Sequence, residues 1–225
     1  MASNYRLTYN VDMAFCIDCT GSMDNILDIV KKNALNFYQD VTSVMEKKHK
    51  HITQLRVRVI AFRDYVADGG QAMMVTDFFK LPQEASEFEK CVSSVVAEGG
   101  GDDPEDGLEA LAYAIKSKWD TEGMKRRQVI VVWTDSATHH LGFGRSSGHY
   151  PAGMAQDLRE LTDWWSSGEF IDNNAKRLLL FAPNEPDWNI ISQNWDNVLH
   201  FPSEAGNGLE ELEYEEIIDT ISNSI

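Results

Sequence analysis

The chain has 225 residues, 43% of them hydrophobic and 25% charged, with 36 acidic against 20 basic side chains and a formal net charge of −16. A chain of this length buries most of its apolar surface without disulfides or structural metals, and so acidic a surface repels phosphate backbones, which excludes nucleic acid as a partner class. It also draws cations toward any cleft lined with carboxylates.

Three cysteines, Cys16, Cys19 and Cys91, form no disulfide framework, and the C-x-x-C pair at Cys16 and Cys19 has no second pair to complete a metal site. Their odd number and the lack of a signal peptide predict a cytoplasmic location. No apolar run reaches membrane-spanning length, so no membrane partner is expected. Residues 1–9 read as a short polar lead-in.

Apolar runs then alternate with amphipathic stretches, the pattern of a parallel sheet with helices between its strands. The first strand spans Val11 to Ile17 and is apolar apart from Asp12, as a strand buried on both faces should be. A long helix follows from Met23 to Lys47, its stripe including Ile26, Ile29, Val30, Leu35, Phe37 and Val44. A second strand runs from Leu55 to Phe62, and Gly69-Gly70 turns the chain into a short antiparallel edge strand, Ala72 to Phe79. Pro82 opens a helix to Val96, and after Gly99-Gly100-Gly101, Pro104 opens another to Lys118; proline suits a first helical turn. Gln128 to Trp133 is again a buried strand, followed by a Gly/Ser-rich loop, His140 to Gly153. Helix Met154 to Trp165, strand Arg177 to Ala182, a short helix at Trp188 to Gln193, strand Val198 to Phe201 and a closing helix, Leu209 to Ile225, complete the chain. The expected fold is one α/β domain over residues 1–225: a doubly wound, mostly parallel six-stranded sheet with one antiparallel edge strand and helices on both faces.

In such a sheet ligands bind beyond the carboxyl ends of the strands. The first strand ends at Asp18-Cys19-Thr20-Gly21-Ser22, the second at Arg63-Asp64, the fourth at Thr134-Asp135-Ser136, and the glycine run leads into Asp102-Asp103-Pro104-Glu105-Asp106 on the same side. Carboxylates and hydroxyls from separate segments thus converge on one edge. Oxygen-only ligands suit hard cations such as Mg²⁺, Mn²⁺ or Ca²⁺ rather than zinc. Asp103 and Asp106 read as ordinary first-turn acids that favour the helix dipole. Asp64 reads equally as an acceptor behind the site or as a turn anchor, and His139 and His140 as loop or supporting residues.

Asp18-Cys19-Thr20-Gly21-Ser22 resembles the Asp-x-Ser/Thr-x-Ser signature of the metal-ion-dependent adhesion site in von Willebrand factor A domains, and Thr134-Asp135 resembles that family's later Asp motif. The family's middle threonine has no obvious counterpart. Instead Asp102-Asp103-Pro104-Glu105 resembles the Asp-Ser-Pro-Glu segment of the integrin β-subunit inserted domain, and Thr134-Asp135-Ser136-Ala137-Thr138-His139 its Thr-Asp-Ala-Lys-Thr-His. The resemblance implies a metal set of Asp18, Thr20, Ser22, Glu105 with or in place of Asp102, and Asp135. It further implies a module that holds a partner protein by capturing its Asp or Glu carboxylate. The loop from Leu141 to Gly153, with Phe143, Arg145, His149 and Tyr150, is expected on the rim of that site, where long loops are often functional. A competing reading is enzymatic. Asp18-Cys19-Thr20-Gly21-Ser22 also resembles the Asp-Lys-Thr-Gly-Thr motif of haloacid-dehalogenase-like phosphatases, with Asp18 as nucleophile beside Mg²⁺. The later acidic motif and the intervening lysine of that family have no match here.

Overall fold

A computed structural model describes residues 7–99, 104–123 and 125–225. The first strand, β1 (Leu7–Asp18), is buried from Val11 onward and lies at the centre of the sheet. Its one internal acid is neutralised: Arg56 reaches both oxygens of Asp12, at 2.7 and 2.5 Å, from the neighbouring strand. That neighbour is β2 (Lys50–Phe62), parallel to β1, and β5 (Arg126–Trp133) runs parallel on the other side. Beyond β5 lie β6 (Lys176–Pro183) and β7 (Val198–Ser203), also parallel. Strand order therefore reverses between β1 and β5, which makes the carboxyl ends of these two strands the switch point where an open α/β sheet binds ligands.

The antiparallel edge is two short strands rather than one. Both β3 (Met73–Val75) and β4 (Phe79–Leu81) pair antiparallel with β2, which brings the sheet to seven strands among the described residues. Thr76 separates them: its hydroxyl accepts the Val59 N–H at 2.9 Å and so takes the place of a carbonyl in the ladder.

Alternation along β1 sends side chains into two cores. Val11, Met13, Phe15 and Ile17 pack beneath α1 (Asp24–Asn33), α2 (Phe37–Lys47), α3 (Ala85–Ser94) and α7 (Tyr214–Ser224). Ala14 and Cys16 face α4 (Gly107–Ile115), α5 (Leu158–Ser166) and α6 (Pro186–Asn194). The long helix expected over 23–47 is broken at residues 34–36. Asn33 turns its amide back onto the Ile29 carbonyl, and such side-chain bonds compete with helix continuation. Leu35, expected to face inward, falls in the break and is 49% exposed. The helix after Pro104 starts only at Gly107, because Glu105 is held in a parallel bridge to Thr138, with its N–H on the Ala137 carbonyl and its carbonyl on the His139 N–H. Gly107 is required where it stands: a Cβ there would lie 2.6 Å from the Trp188 ring of α6.

Candidate functional site

Asp18 is the last residue of β1 and is fully buried. Ile17 and Trp133 are register partners across β1 and β5, so Asp18 and Thr134 meet one step beyond the paired strands. The Thr134 hydroxyl donates to Asp18 Oδ2 at 2.7 Å. The other oxygen accepts the Thr20 N–H at 2.9 Å and the Thr20 hydroxyl at 2.7 Å, so the turn after β1 folds around this carboxylate. Ser22, in the short 3₁₀ turn Gly21–Met23, donates to Asp135 Oδ1 at 3.0 Å. Asp135 is buried and its second oxygen accepts the Gly208 N–H at 2.8 Å. Gly208 presses against this turn so closely that a Cβ would come within 2.1 Å of the Ser22 carbonyl, and its φ of +59° also favours glycine.

Glu105 enters the same edge from the bridge to Thr138. It is buried, and its Oε2 has no hydrogen-bond partner. Burial first, then the charges of Asp18, Asp64, Asp68 and Asp106, pushes its carboxyl up to about 9. Asp18 is pushed up to about 6, mainly by burial and further by Asp135, against the lowering effect of its Thr134 and Thr20 hydrogen bonds. Among the described residues no lysine or arginine forms an ion pair with Asp18, Glu105 or Asp135. The nearby Arg63 is committed elsewhere, donating to the carbonyls of Cys19, Gln71 and Val96 at 3.1, 3.0 and 2.6 Å and so tying the Asp18 turn to the end of β2.

Behind this edge lies a second set of buried acids, Asp106, Glu109 and Asp64. Asp106 is not a solvated first-turn acid: it is fully buried, accepts the Tyr65 N–H at 2.7 Å, and has an unpartnered Oδ1. Burial, then Glu109, raises its carboxyl to about 7. Glu109 is equally buried, and its Oε1 accepts the Gly142 N–H and the Tyr150 hydroxyl, both at 2.8 Å. The signal for both lay in α4 itself, where Leu108, Ala110, Leu111, Ala112, Ala114 and Ile115 leave no polar face. Asp64 is the turn anchor. It anchors its turn through the N–H groups of Val66 and Ala67, and it takes a 2.8 Å bond from buried His139 Nε2. His140 is exposed and meets Asp187 at 3.0 Å. Asp102 and Asp103 lie outside the described residues.

The residues of the loop after β5 divide. Tyr150 is fixed by Glu109 and packs edge-on against Tyr65, with ring centroids 5.2 Å apart. Arg145 donates to the carbonyls of Ala155 and Gln156. Phe143 alone of the three offers its ring to solvent, 52% exposed, while its other face stacks on His139 at 3.8 Å.

The donor set at the switch point is mixed: the carboxylates of Asp18 and Asp135, the hydroxyls of Thr20, Ser22 and Thr134, and the unpartnered Glu105 oxygen. Among the described residues no three His, Cys, Asp or Glu side chains form a metal cluster on their own, so any cation here would rest on hydroxyl oxygens as well. Such all-oxygen chemistry fits Mg²⁺, Mn²⁺ or Ca²⁺. Sheet order and oxygen-rich loops together define the class, a doubly wound α/β domain with its candidate site at the switch point. The von Willebrand factor A domain family model matches residues 12–140, more than half of the chain, and the chain belongs to that family.

Among curated relatives, "Alpha-protein kinase vwkA" of Dictyostelium discoideum is 24% identical over 154 residues, covering 68% of this chain and 23% of that protein. "Putative ariadne-like RING finger protein R811" of Acanthamoeba polyphaga mimivirus is 23% identical over 180 residues, covering 77% of this chain and 15% of that protein. The chain thus spans less than a quarter of either relative. Among solved structures, the pilus adhesin SpaC of Lactobacillus rhamnosus GG superposes with a TM-score of 0.55 at 12% identity, over 95% of this chain and 30% of the adhesin. Its open conformation gives 0.53. This likeness is one of fold. Family membership marks the chain as a protein-interaction type of domain. No helix among the described residues is long and apolar enough to cross a membrane.

Proposed function

We propose that the chain is a divalent-metal-dependent protein-binding module, with Mg²⁺, or Mn²⁺ or Ca²⁺ in its place, held by Asp18, Thr20, Ser22 and Asp135 together with Glu105. The observation that carries this reading is the concentration of buried carboxylates at the switch point without a basic partner among the described residues. Buried charge is costly unless it is paired, neutralised or bound to a metal. A bound cation would supply positive charge and an open coordination position for a carboxylate from outside. Hydroxyl donors leave that charge less neutralised than carboxylates would. Asp18 orients Thr20 and Thr134, Asp135 orients Ser22, and Phe143 offers an apolar contact beside the site for a partner's acidic residue.

The phosphatase reading has less support, and we propose no catalytic role. Both oxygens of Asp18 are engaged by hydroxyl and amide donors, which suits a ligand-positioning carboxylate better than a free nucleophile. The free thiols of Cys16, Cys19 and Cys91 favour a reducing, cytoplasmic setting.

Calorimetric titration with Mg²⁺ and Mn²⁺ tests the metal, and capture of partners with and without chelator tests the module. Saturable binding that Asp18→Asn removes is the expected result. Absence of heat and of any thermal stabilisation by either ion would overturn the reading.

A further inference from the structure

The sheet face under α1, α2, α3 and α7 is not covered to its end. Aromatic rings step across it from strand to strand. Phe15 meets Trp133 at 5.1 Å, Trp133 stacks on Phe181 at 6.2 Å, and Phe181 stacks on Phe201 at 4.8 Å. The first three rings are buried, whereas Phe201, on the edge strand β7, is 36% exposed. Leu199, two residues earlier and so on the same face, is 49% exposed, while Val198 packs into the opposite core. Between β7 and α7 runs an open groove of about 410 Å³ whose apolar lining includes Phe181, Phe201, Leu209 and Leu212. Its remaining charged lining is all of one sign: Glu211, Glu216 and Asp219. At its border Lys48, just after α2, donates to Asn223 at 2.8 Å.

From these features we infer that the groove is a docking site for a basic amphipathic helix of a partner protein. The apolar face of that helix would lie on Leu199, Phe201 and Phe181, and its lysines or arginines would oppose Glu211, Glu216 and Asp219. Three observations select this occupant. An apolar face left open at a sheet edge is a liability that folds normally cover, and here Leu199 and Phe201 remain exposed beside α7. β7 is only six residues long and Pro202 removes one of its N–H donors, so addition of a further strand is poorly provided for. The acidic rim selects a cationic partner and rejects an anionic one. An amphipathic helix in a hydrophobic groove is an established mode of recognition. The groove reaches the carboxyl end of β7 at Pro202 and Ser203, but none of the proposed metal-holding residues lines it, so the proposal is testable with the metal removed.

The probe is a fluorescein-labelled leucine–lysine peptide of about 18 residues, roughly 27 Å as a helix, patterned as an amphipathic helix. A peptide of the same composition in scrambled order is the control. Anisotropy is measured in about 0.15 M salt, where long-range charge attraction is largely screened, with chelator present so that the metal site plays no part. The patterned peptide should bind at least about tenfold more tightly than the scrambled one. Leu199→Ser with Phe201→Ser, which changes no charge and leaves the buried rings of Phe15, Trp133 and Phe181 in place, should weaken binding about tenfold. So should neutralising Glu211, Glu216 and Asp219 to Gln, Gln and Asn. Equal binding of the two peptides, binding unchanged by the serine variant, or no binding would each overturn the proposal; the first two would show diffuse charge attraction only.

Discussion

At Asp18 burial and hydrogen bonding pull in opposite directions, and burial wins, since the carboxyl sits at about 6 in spite of three donors. The donors therefore orient the charge more than they neutralise it. Asp18→Asn keeps the shape, because its amide oxygen can accept from Thr20 and its Nδ2 can donate to the Thr134 hydroxyl, which both donates and accepts. We expect this variant to melt no lower than the parent at pH 8 in chelator, yet to bind no Mg²⁺ by calorimetry. A lower melting point would mean that the charge itself holds the loops together. Thr134→Val removes the 2.7 Å bond to Oδ2. Metal affinity should fall about tenfold, equivalent to 1.4 kcal/mol, while Thr134→Ser, which keeps the hydroxyl, should restore most of it. A valine variant with undiminished affinity would show that Thr134 plays no part in the site. Asp18, Thr20, Ser22 and Asp135 were legible in the sequence because each stands at a strand end in a recognisable order. The Thr134 contribution was not singled out, since it arises from strand register, and the burial of Asp106 and Glu109 follows from α4 being apolar on every side.

At the scale of elements, the strands were the more legible part. The apolar runs Met13–Ile17 of β1, Val129–Trp133 of β5 and Leu178–Ala182 of β6 were readable because both faces of these segments are buried. What periodicity could not show were local side-chain bonds that interrupt a regular element. These are Asn33 at the end of α1, Thr76 between β3 and β4, and the Glu105–Thr138 bridge that delays α4. The loop from Leu141 to Gly153 illustrates the same limit. Its Gly/Ser-rich composition gives no sign of an anchor, yet Tyr150 and Gly142 are both held by Glu109, a residue more than thirty positions away in sequence. Tyr150→Phe should therefore speed amide hydrogen exchange across residues 142–150 without altering metal affinity, because the tyrosine hydroxyl bonds Glu109 and none of the proposed ligands. Unchanged exchange would mean that the loop is fixed by packing of Tyr150 on Tyr65 alone. Phe143→Ala, in contrast, should weaken partner capture by about 1 kcal/mol or more, as truncation of an interface aromatic does, and leave exchange of the loop nearly as it was.

For the whole molecule, the acids at the switch point make stability depend on both pH and metal. In the folded chain Asp18, Asp106 and Glu105 hold their protons to about 6, 7 and 9, above the ordinary carboxylate value near 4. A native state that binds protons more tightly than the unfolded chain gains stability on protonation. The gain is complete below about pH 4 and is lost as pH rises through 6, 7 and 9, so the metal-free protein should melt several degrees lower at pH 9 than at pH 6. Metal works in the other direction. Ligating carboxylates must be deprotonated, so apparent affinity for Mg²⁺ should rise over the same interval. At a concentration about a hundredfold above its dissociation constant the ion should add about 2.7 kcal/mol, and the gap between melting curves with Mg²⁺ and with chelator should widen from pH 6 to pH 8. Scanning calorimetry at constant ionic strength measures both trends, and constant ionic strength matters because salt alone screens the repulsion within a chain of net charge −16. A gap that stays constant with pH would show that the ion binds away from these carboxylates. Coincident curves at pH 8 would show that their charge is tolerated without it.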